Sequence, residues 1–350
     1  MKIGILTFHA VANFGAYLQA HRMVDALRDL GHQPEIINYE NAAHRQARRF
    51  NPWVYRRPGR LWHDLRKLGV FRQANAHLPL SPPASDPSQV DWNAYDAIVV
   101  GSDIVWNFAS PASGSDRAHF GHYPVAYRGR LVAYAPSIGP MDPGIAAPEW
   151  VREGLGRFGF IGVRDVFTQD FVRRQIGRET PLVVDPTWLL GKPEMAPRLY
   201  RRRTDRDYLL VYSFVLEGIF AERVKAFARK EGLLTVGVGY RQHWCDVNWS
   251  DVDPFEWIEL IRQARYVLSG TFHGTLYCIR EQKRFCFLAN EGSSRKVGTA
   301  LAMAGLEDHH TADASNIERI LTAPVDYEVI GQKLARQRAQ SQSLLRQALS

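Results

Sequence analysis

Residues 2–40, KIGILTFHAVANFGAYLQAHRMVDALRDLGHQPEIINYE, carry the pattern on which the fold turns. KIGILTF is a short apolar run, and a loop with Asn13 and Gly15 follows it. In the next stretch Leu18, Met23, Ala26, Leu27 and Leu30 recur at helical spacing. Gly31 stands where a helix ends, because glycine accepts the left-handed backbone of a helix terminus. PEIINYE then supplies a second strand, so the segment reads as a right-handed βαβ unit with its two strands parallel.

The alternation continues through YDAIVV (95–100), RLVAYAPSIG (130–139), GFIGVRD (159–165) and PLVVDPT (181–187), each expected to hold a strand, with a helix over 166–176. Beyond the basic linker RLYRRRTDRD (198–207) a second series begins with DYLLVYSF (207–214) and a helix over 220–230. LLTVGVGY (233–240), the helix PFEWIELIRQA (254–264), YVLSG (266–270) and FHGTLYCIREQ (272–282) complete it. This predicts an α/β protein with one domain over 1–195 and another over 205–322, each built on a mainly parallel sheet. A terminal helix over 326–350 is expected to pack back on the first domain. In such folds ligands sit at the carboxyl ends of the strands.

Composition narrows the function classes. The chain has 350 residues, 45% hydrophobic and 23% charged, enough to bury a large core. No stretch approaches the roughly 18 apolar residues of a membrane span, and the N-terminus lacks the pattern of an export signal. Three cysteines, Cys245, Cys278 and Cys286, have no metal-ligand spacing and read as reduced, packed thiols, so the cytoplasm is the expected compartment. The net charge of +8 fits an anionic substrate or membrane surface better than nucleic acid.

Residues 42–78 depart from the alternation. Arg45, Arg48, Arg49, Arg56, Arg57, Arg60, Arg66 and Lys67 interleave with Phe50, Trp53, Tyr55, Leu61, Trp62, Leu65, Leu68 and Phe71. This reads as a basic, aromatic helical insertion. It either lies on anionic lipid at the inner face of the membrane or grips a lipid-linked acceptor, or it packs its apolar side on the domain as a surface excursion.

NFGAYLQA (13–20), GSDIVWN (101–107), GVRDVFTQD (162–170), VVDPTWLL (183–190) and PFEWIELIRQARYVLSGTFHGTLYCI (254–279), in that order and with a later NEGSSRKVGTAL (290–301), resemble the polysaccharide pyruvyltransferase family over residues 2 to 310. The resemblance implies two Rossmann-like domains in a GT-B-like arrangement with the active site between them. It also implies phosphoenolpyruvate as donor and co-substrate, no metal and no cofactor. The acceptor would be a sugar or lipid-linked oligosaccharide of exopolysaccharide biosynthesis.

Carried onto this chain, the resemblance makes His273 the catalytic group, at a strand-to-helix turn where an imidazole can move a proton near neutral pH. The family has Arg two positions before this His, where Thr271 stands here; the hydroxyl and the helix N-terminus behind it still offer donors to an anion. Arg164 matches the family's donor-binding arginine, against the plainer reading of a surface pair with Asp165. One of Arg295 and Lys296 is expected at the phosphate. Asp103 is the candidate base. Ser102, Trp106 and Asn107 form an expected sugar-binding wall, Trp106 by stacking, although Asp103 could equally cap a helix and Trp106 lie in the core. Ile104 replaces a family Gln. Asn13 and Gly15 would orient acceptor hydroxyls or simply shape the turn. Asp185 is read as holding the interdomain connection rather than as catalytic, and His9, His243, His309 and His310 as packing or surface residues. Two rival readings are a metal-independent glycosyltransferase using a nucleotide sugar and a non-enzymatic protein binding an anionic polymer.

Overall fold

The computed structural model describes residues 1–47, 58–110, 116–191, 200, 202–290 and 292–350. The middle of the basic insertion, with Arg48, Arg49, Phe50, Trp53, Tyr55, Arg56 and Arg57, lies outside the described residues.

The first half holds β1 (Lys2–Leu6), α1 (Phe14–Asp29), β2 (Gln33–Ile36), α2 (Ala42–Ala47), α3 (Pro58–Asn75), β3 (Ala97–Val100), β4 (Arg130–Tyr134), α4 (Glu149–Gly156), β5 (Phe160–Gly162), α5 (Val166–Ile176) and α6 (Pro186–Leu189). The second holds β6 (Tyr208–Tyr212), α7 (Gly218–Lys230), β7 (Leu234–Val238), β8 (Val247–Trp249), α8 (Pro254–Gln263), β9 (Tyr266–Ser269), α9 (Phe272–Arg280), β10 (Phe285–Leu288), α10 (Ser294–Ala304), β11 (His310–Thr311) and α11 (Ile317–Thr322). The chain closes with α12 (Tyr327–Leu349).

Two parallel sheets result, ordered β2-β1-β3-β4-β5 and β11-β10-β9-β6-β7-β8. Strand order reverses beside β1 and β3 in the first sheet and beside β6 and β9 in the second, so the loops after these strands are where ligands bind in doubly wound folds. Gly31, at φ +80°, ends α1 as its position in the sequence suggests.

PLVVDPT does not form a strand. A single bridge joins Leu182 to Val163, and the backbone of Val184 is then taken by side chains: its N–H donates to Ser341 Oγ at 3.0 Å and its carbonyl accepts from the Tyr134 hydroxyl at 3.1 Å. With those groups satisfied and Pro186 next but one, no ladder can continue.

One core cluster is common to both sheets, running from Ile3, Phe14 and Tyr17 through Tyr212, Trp257 and Tyr277. Phe14, at the start of α1, stacks on Trp257 of the second half with ring centroids 5.1 Å apart. The long helix α12 returns across the first sheet, where Leu345 and Leu349 are buried and Arg130 Nη1 donates to Leu349 O at 3.0 Å. No described helix is long and apolar enough to cross a membrane.

Candidate active site

The turn after β9 builds the centre of the site. Thr271 takes an extended conformation and its Oγ1 accepts from Gly274 N at 3.1 Å, capping α9. That cap sets Phe272 and His273 on the first turn, at the carboxyl end of the central strands of the second sheet. This bond uses the hydroxyl as acceptor and leaves its O–H to donate, as the sequence reading of Thr271 at an anion requires.

Facing His273 from the first half is a buried ionic network. Arg164, just after β5, is 3% exposed; its Nη1 donates to Asp185 Oδ2 at 2.8 Å and to Ser102 Oγ at 3.1 Å, and its Nη2 to Asp103 Oδ1 at 3.3 Å. The expected alternative, a surface pair with Asp165, is excluded: Asp165 is buried and caps α5 through Thr168. The Arg164 Nε is buried without a partner among the described residues, so its N–H is an unspent donor.

Asp185, read from the sequence as holding the interdomain connection, stands between Arg164 of the first half and His273 of the second. One carboxylate oxygen, Oδ1, caps α6 by accepting from Thr187 N at 3.0 Å, as an Asp before Pro ordinarily does. The other, Oδ2, serves the site: Arg164 donates to it, Ser102 Oγ lies at 3.1 Å and His273 Nε2 at 3.6 Å. Burial disfavours the charge of Asp185, yet His273 and Arg164 outweigh that and hold its carboxyl far below the ordinary range.

Asp103 has φ +76°, a left-handed conformation that is uncommon outside glycine, and accepts from its neighbour Ile104 N at 2.8 Å. Burial raises its proton affinity, but Arg164, His273 and Lys296 together lower it below the ordinary value. A carboxylate so held is a counter-ion; its weakened proton affinity argues against the base role expected of it.

Of the basic pair on α10, only Lys296 faces the network. Arg295 is exposed and reaches across to Met141 O at 3.4 Å and the Phe167 ring at 5.2 Å. Lys296 is 6% exposed, and its Nζ lies 5.9 Å from the Phe272 ring, whose centroid is also 4.4 Å from the Arg164 guanidinium carbon. Phe272, which the sequence reading passed over, is therefore the apolar plate shared by both cations. Burial and the neighbouring Arg164 push the Lys296 ammonium down to about 8, with Asp103 and Asp165 opposing.

The remaining expectations divide. Gly15 packs directly on His273: a Cβ there would fall 2.2 Å from the ring Cγ and Nδ1. Asn13 caps α1, with Oδ1 accepting from Ala16 N at 3.1 Å, and lies near Tyr240 of the second half. Ser102 is fully buried among Ala135, Arg164 and Asp185, so it supports the network and offers nothing to a sugar. Trp106 cannot stack on a sugar face, because it is 0% exposed, packs on Phe120 and Phe158, and donates Nε1–H to His119 O at 2.9 Å. Asn107 is half-buried at the end of the same loop. Away from this centre, His9 is buried between Thr7 O and Asn38 Oδ1, each at 3.1 Å, which agrees with a packing role.

With this geometry in hand, a family model described as polysaccharide pyruvyl transferase matches residues 13–292. Comparison with curated proteins found no match. Among solved structures, the UDP-GlcNAc 2-epimerase of Methanocaldococcus jannaschii is similar with a TM-score of 0.52 at 10% identity, covering 95% of this chain and 98% of that one. The UDP-GlcNAc 2-epimerase of Neisseria meningitidis has a TM-score of 0.49 at 9% identity, over 96% and 100% of the two chains. At such identities the likeness concerns the fold alone: α/β, two Rossmann-like domains in a GT-B-like arrangement.

Proposed function

The chain belongs to the polysaccharide pyruvyl transferase family, and on that premise we propose that it moves the pyruvyl group of phosphoenolpyruvate onto two hydroxyls of a sugar, in a polysaccharide or its lipid-linked precursor, to form a ketal. The observation that carries the reading is the pairing of two buried cations, Arg164 and Lys296, over one aromatic plate beside His273 and its carboxylate Asp185. Phosphoenolpyruvate brings a phosphate and a carboxylate on neighbouring atoms. A site for it needs fixed positive charge in a dry setting, and the N-terminus of α9 adds backbone donors.

In the reaction a sugar hydroxyl adds to C2 of the enol while C3 takes a proton and becomes methyl. The C2–O bond to phosphate then breaks, and the second hydroxyl adds at C2. Of the two hydroxyl protons released, one balances the proton taken up at C3 and the other leaves with phosphate or solvent. His273 is the group we assign to the proton at C3. Asp185, behind Nε2, orients the ring, the relation familiar from His–Asp pairs in hydrolases. Nδ1, now against Gly15, becomes the working nitrogen once substrate stands between them. Arg164 and Lys296 stabilise the departing phosphate and the carboxylate. His273, Arg164 and Lys296 are each less than a tenth exposed, so their charges act in a setting from which water is largely excluded.

Titration calorimetry with phosphoenolpyruvate, on the wild type and on Lys296→Met, tests the donor. Binding weakened at least about tenfold in the variant supports the reading. Binding of a nucleoside diphosphate with no response to phosphoenolpyruvate overturns it in favour of a glycosyltransferase.

A further inference from the structure

Of ten large apolar side chains exposed among the described residues, six gather at one corner: Trp62 (65%), Leu65 and Leu68 on α3, Phe214 and Val215 on the turn between β6 and α7, and Ile219 at the start of α7. The two groups are joined through Tyr240, whose ring lies 5.0 Å from Phe214 and 5.0 Å from Lys67 Nζ, while Lys67 also donates to Gly239 O at 2.9 Å. Helix α3 is thus fixed by its inner side, where His63, Phe71 and Ala74 are buried: Phe71 and Ala74 meet Phe14 and Tyr17 of α1, and Lys67 reaches the second half. Its outer side presents Trp62, Leu65 and Leu68 between exposed Arg66 and Arg72. Arg241 lies nearby, close enough to influence His63. The one acid on the turn itself is Glu217, Asp64 on α3 is half-buried beside His63, and Asp251, already paired with Arg203, lies near enough to Arg66 to feel its charge.

We propose that this corner seats the protein on an anionic bilayer, with Trp62, Leu65, Leu68 and Phe214 entering the headgroup layer and Arg66 and Arg72 meeting lipid phosphates. Charge decides among occupants. A second copy docked on the same patch about a twofold axis would set Arg66 and Arg72 against themselves, while a nucleic acid would leave the apolar side chains unused. A convex helix carrying tryptophan and leucine flanked by arginine is the composition that lies in a lipid interface. The location gives the docking a consequence. Lys67 lies 6.0 Å from the Phe14 ring, and Phe14 precedes Gly15, which touches His273. The corner is therefore one layer of side chains behind the candidate active site. If the transferase reading holds, on which this clause rests, the acceptor is presented from the membrane on a lipid carrier.

The test is co-sedimentation of the full chain with vesicles of equal parts phosphatidylcholine and phosphatidylglycerol, against pure phosphatidylcholine, in low and high salt. Binding to the anionic vesicles that falls with salt, and falls at least about tenfold in Trp62→Ser/Leu65→Ser/Leu68→Ser, is the expected result. Arg66→Glu/Arg72→Glu should abolish the preference for anionic lipid. Absence of binding by the wild type overturns the proposal, as does undiminished binding by the triple variant. A wild-type dimer in analytical ultracentrifugation that the triple variant dissolves would also overturn it, assigning the face to a second copy. No donor is present in the vesicle assay, so its failure leaves the transferase reading standing, and a failed calorimetric titration leaves the docking standing.

Discussion

Gly15 of the first half and His273 of the second are in contact with no room between them: a Cβ on Gly15 would stand 2.2 Å from Cγ and Nδ1 of the imidazole. Gly15 lies inside α1, where glycine is a poor helix former, so close approach rather than backbone freedom accounts for it. Alanine at this position must displace the ring or push the sheets apart. Gly15→Ala should lower transfer by about a hundredfold through mispositioning of His273, with a stability loss of about 1–3 kcal/mol from overpacking. Turnover and thermal unfolding of the variant check both; wild-type turnover would mean that His273 moves freely without cost.

Asp185 links Arg164 to His273, and the two duties of its carboxylate can be separated. Asp185→Asn keeps an oxygen for the α6 cap but removes the charge shared by the guanidinium and the imidazole. We expect about 3 kcal/mol of lost stability, because Arg164 is left under-compensated, and a fall of about a hundredfold in kcat with a smaller change in donor KM. Ser341→Ala is the control. It removes the acceptor for Val184 N, next to Asp185, and should cost about 1–3 kcal/mol without touching kcat. Equal kcat losses in the two variants would reduce Asp185 to a structural residue.

The contrast between Asp185 and His273 shows where the sequence could be read and where it could not. Helices such as α5 and α8 are visible because apolar spacing and an Asp cap mark them locally. His273 stands out because the FHG segment after an apolar strand also matches the family's pattern. Asp185 shows the same local signs as Asp253, another Asp before Pro that caps a helix, and only the packing of α6 against α9 turns its second oxygen to the site. Phe272 and Trp106 pose a similar difficulty, since an aromatic beside a polar loop reads alike whether it faces a ligand or the core. The strand expected over PLVVDPT failed for a nonlocal reason as well, since Ser341 of α12, far along the chain, takes the amide that a ladder would have used.

Trp106 offers a test of that core assignment. Trp106→Phe leaves the His119 carbonyl without its donor and opens a gap beside Phe120 and Phe158. A loss of about 2–4 kcal/mol in denaturant unfolding is expected, with acceptor KM unchanged in the surviving folded fraction. A variant of wild-type stability with a raised acceptor KM would restore the tryptophan to the sugar-binding wall.

On the proposed assignment of Lys296 to the donor, binding is sensitive to alkaline pH. Its ammonium, lowered to about 8, is charged at neutral pH and gives up its proton as the pH passes that value, well before an exposed lysine would. An anionic donor prefers the charged form, so phosphoenolpyruvate affinity should hold steady below pH 8 and weaken by up to about tenfold per pH unit above it, until the ligand's own stabilisation of the ammonium is exhausted. Stability of the free protein follows the opposite sign for this group. Between about 8 and the ordinary lysine value the unfolded chain binds the extra proton, so release in the folded state favours folding as pH rises. Lys67, also lowered to about 8, adds to that trend, while the buried thiols of Cys245, Cys278 and Cys286, raised by burial, oppose it above pH 9. Affinity is therefore the cleaner readout. Lys296→Arg, whose guanidinium stays charged throughout, should bind the donor with a flat profile from pH 7 to about 10, and calorimetry across that range checks it. A wild-type profile equally flat would remove Lys296 from the donor site.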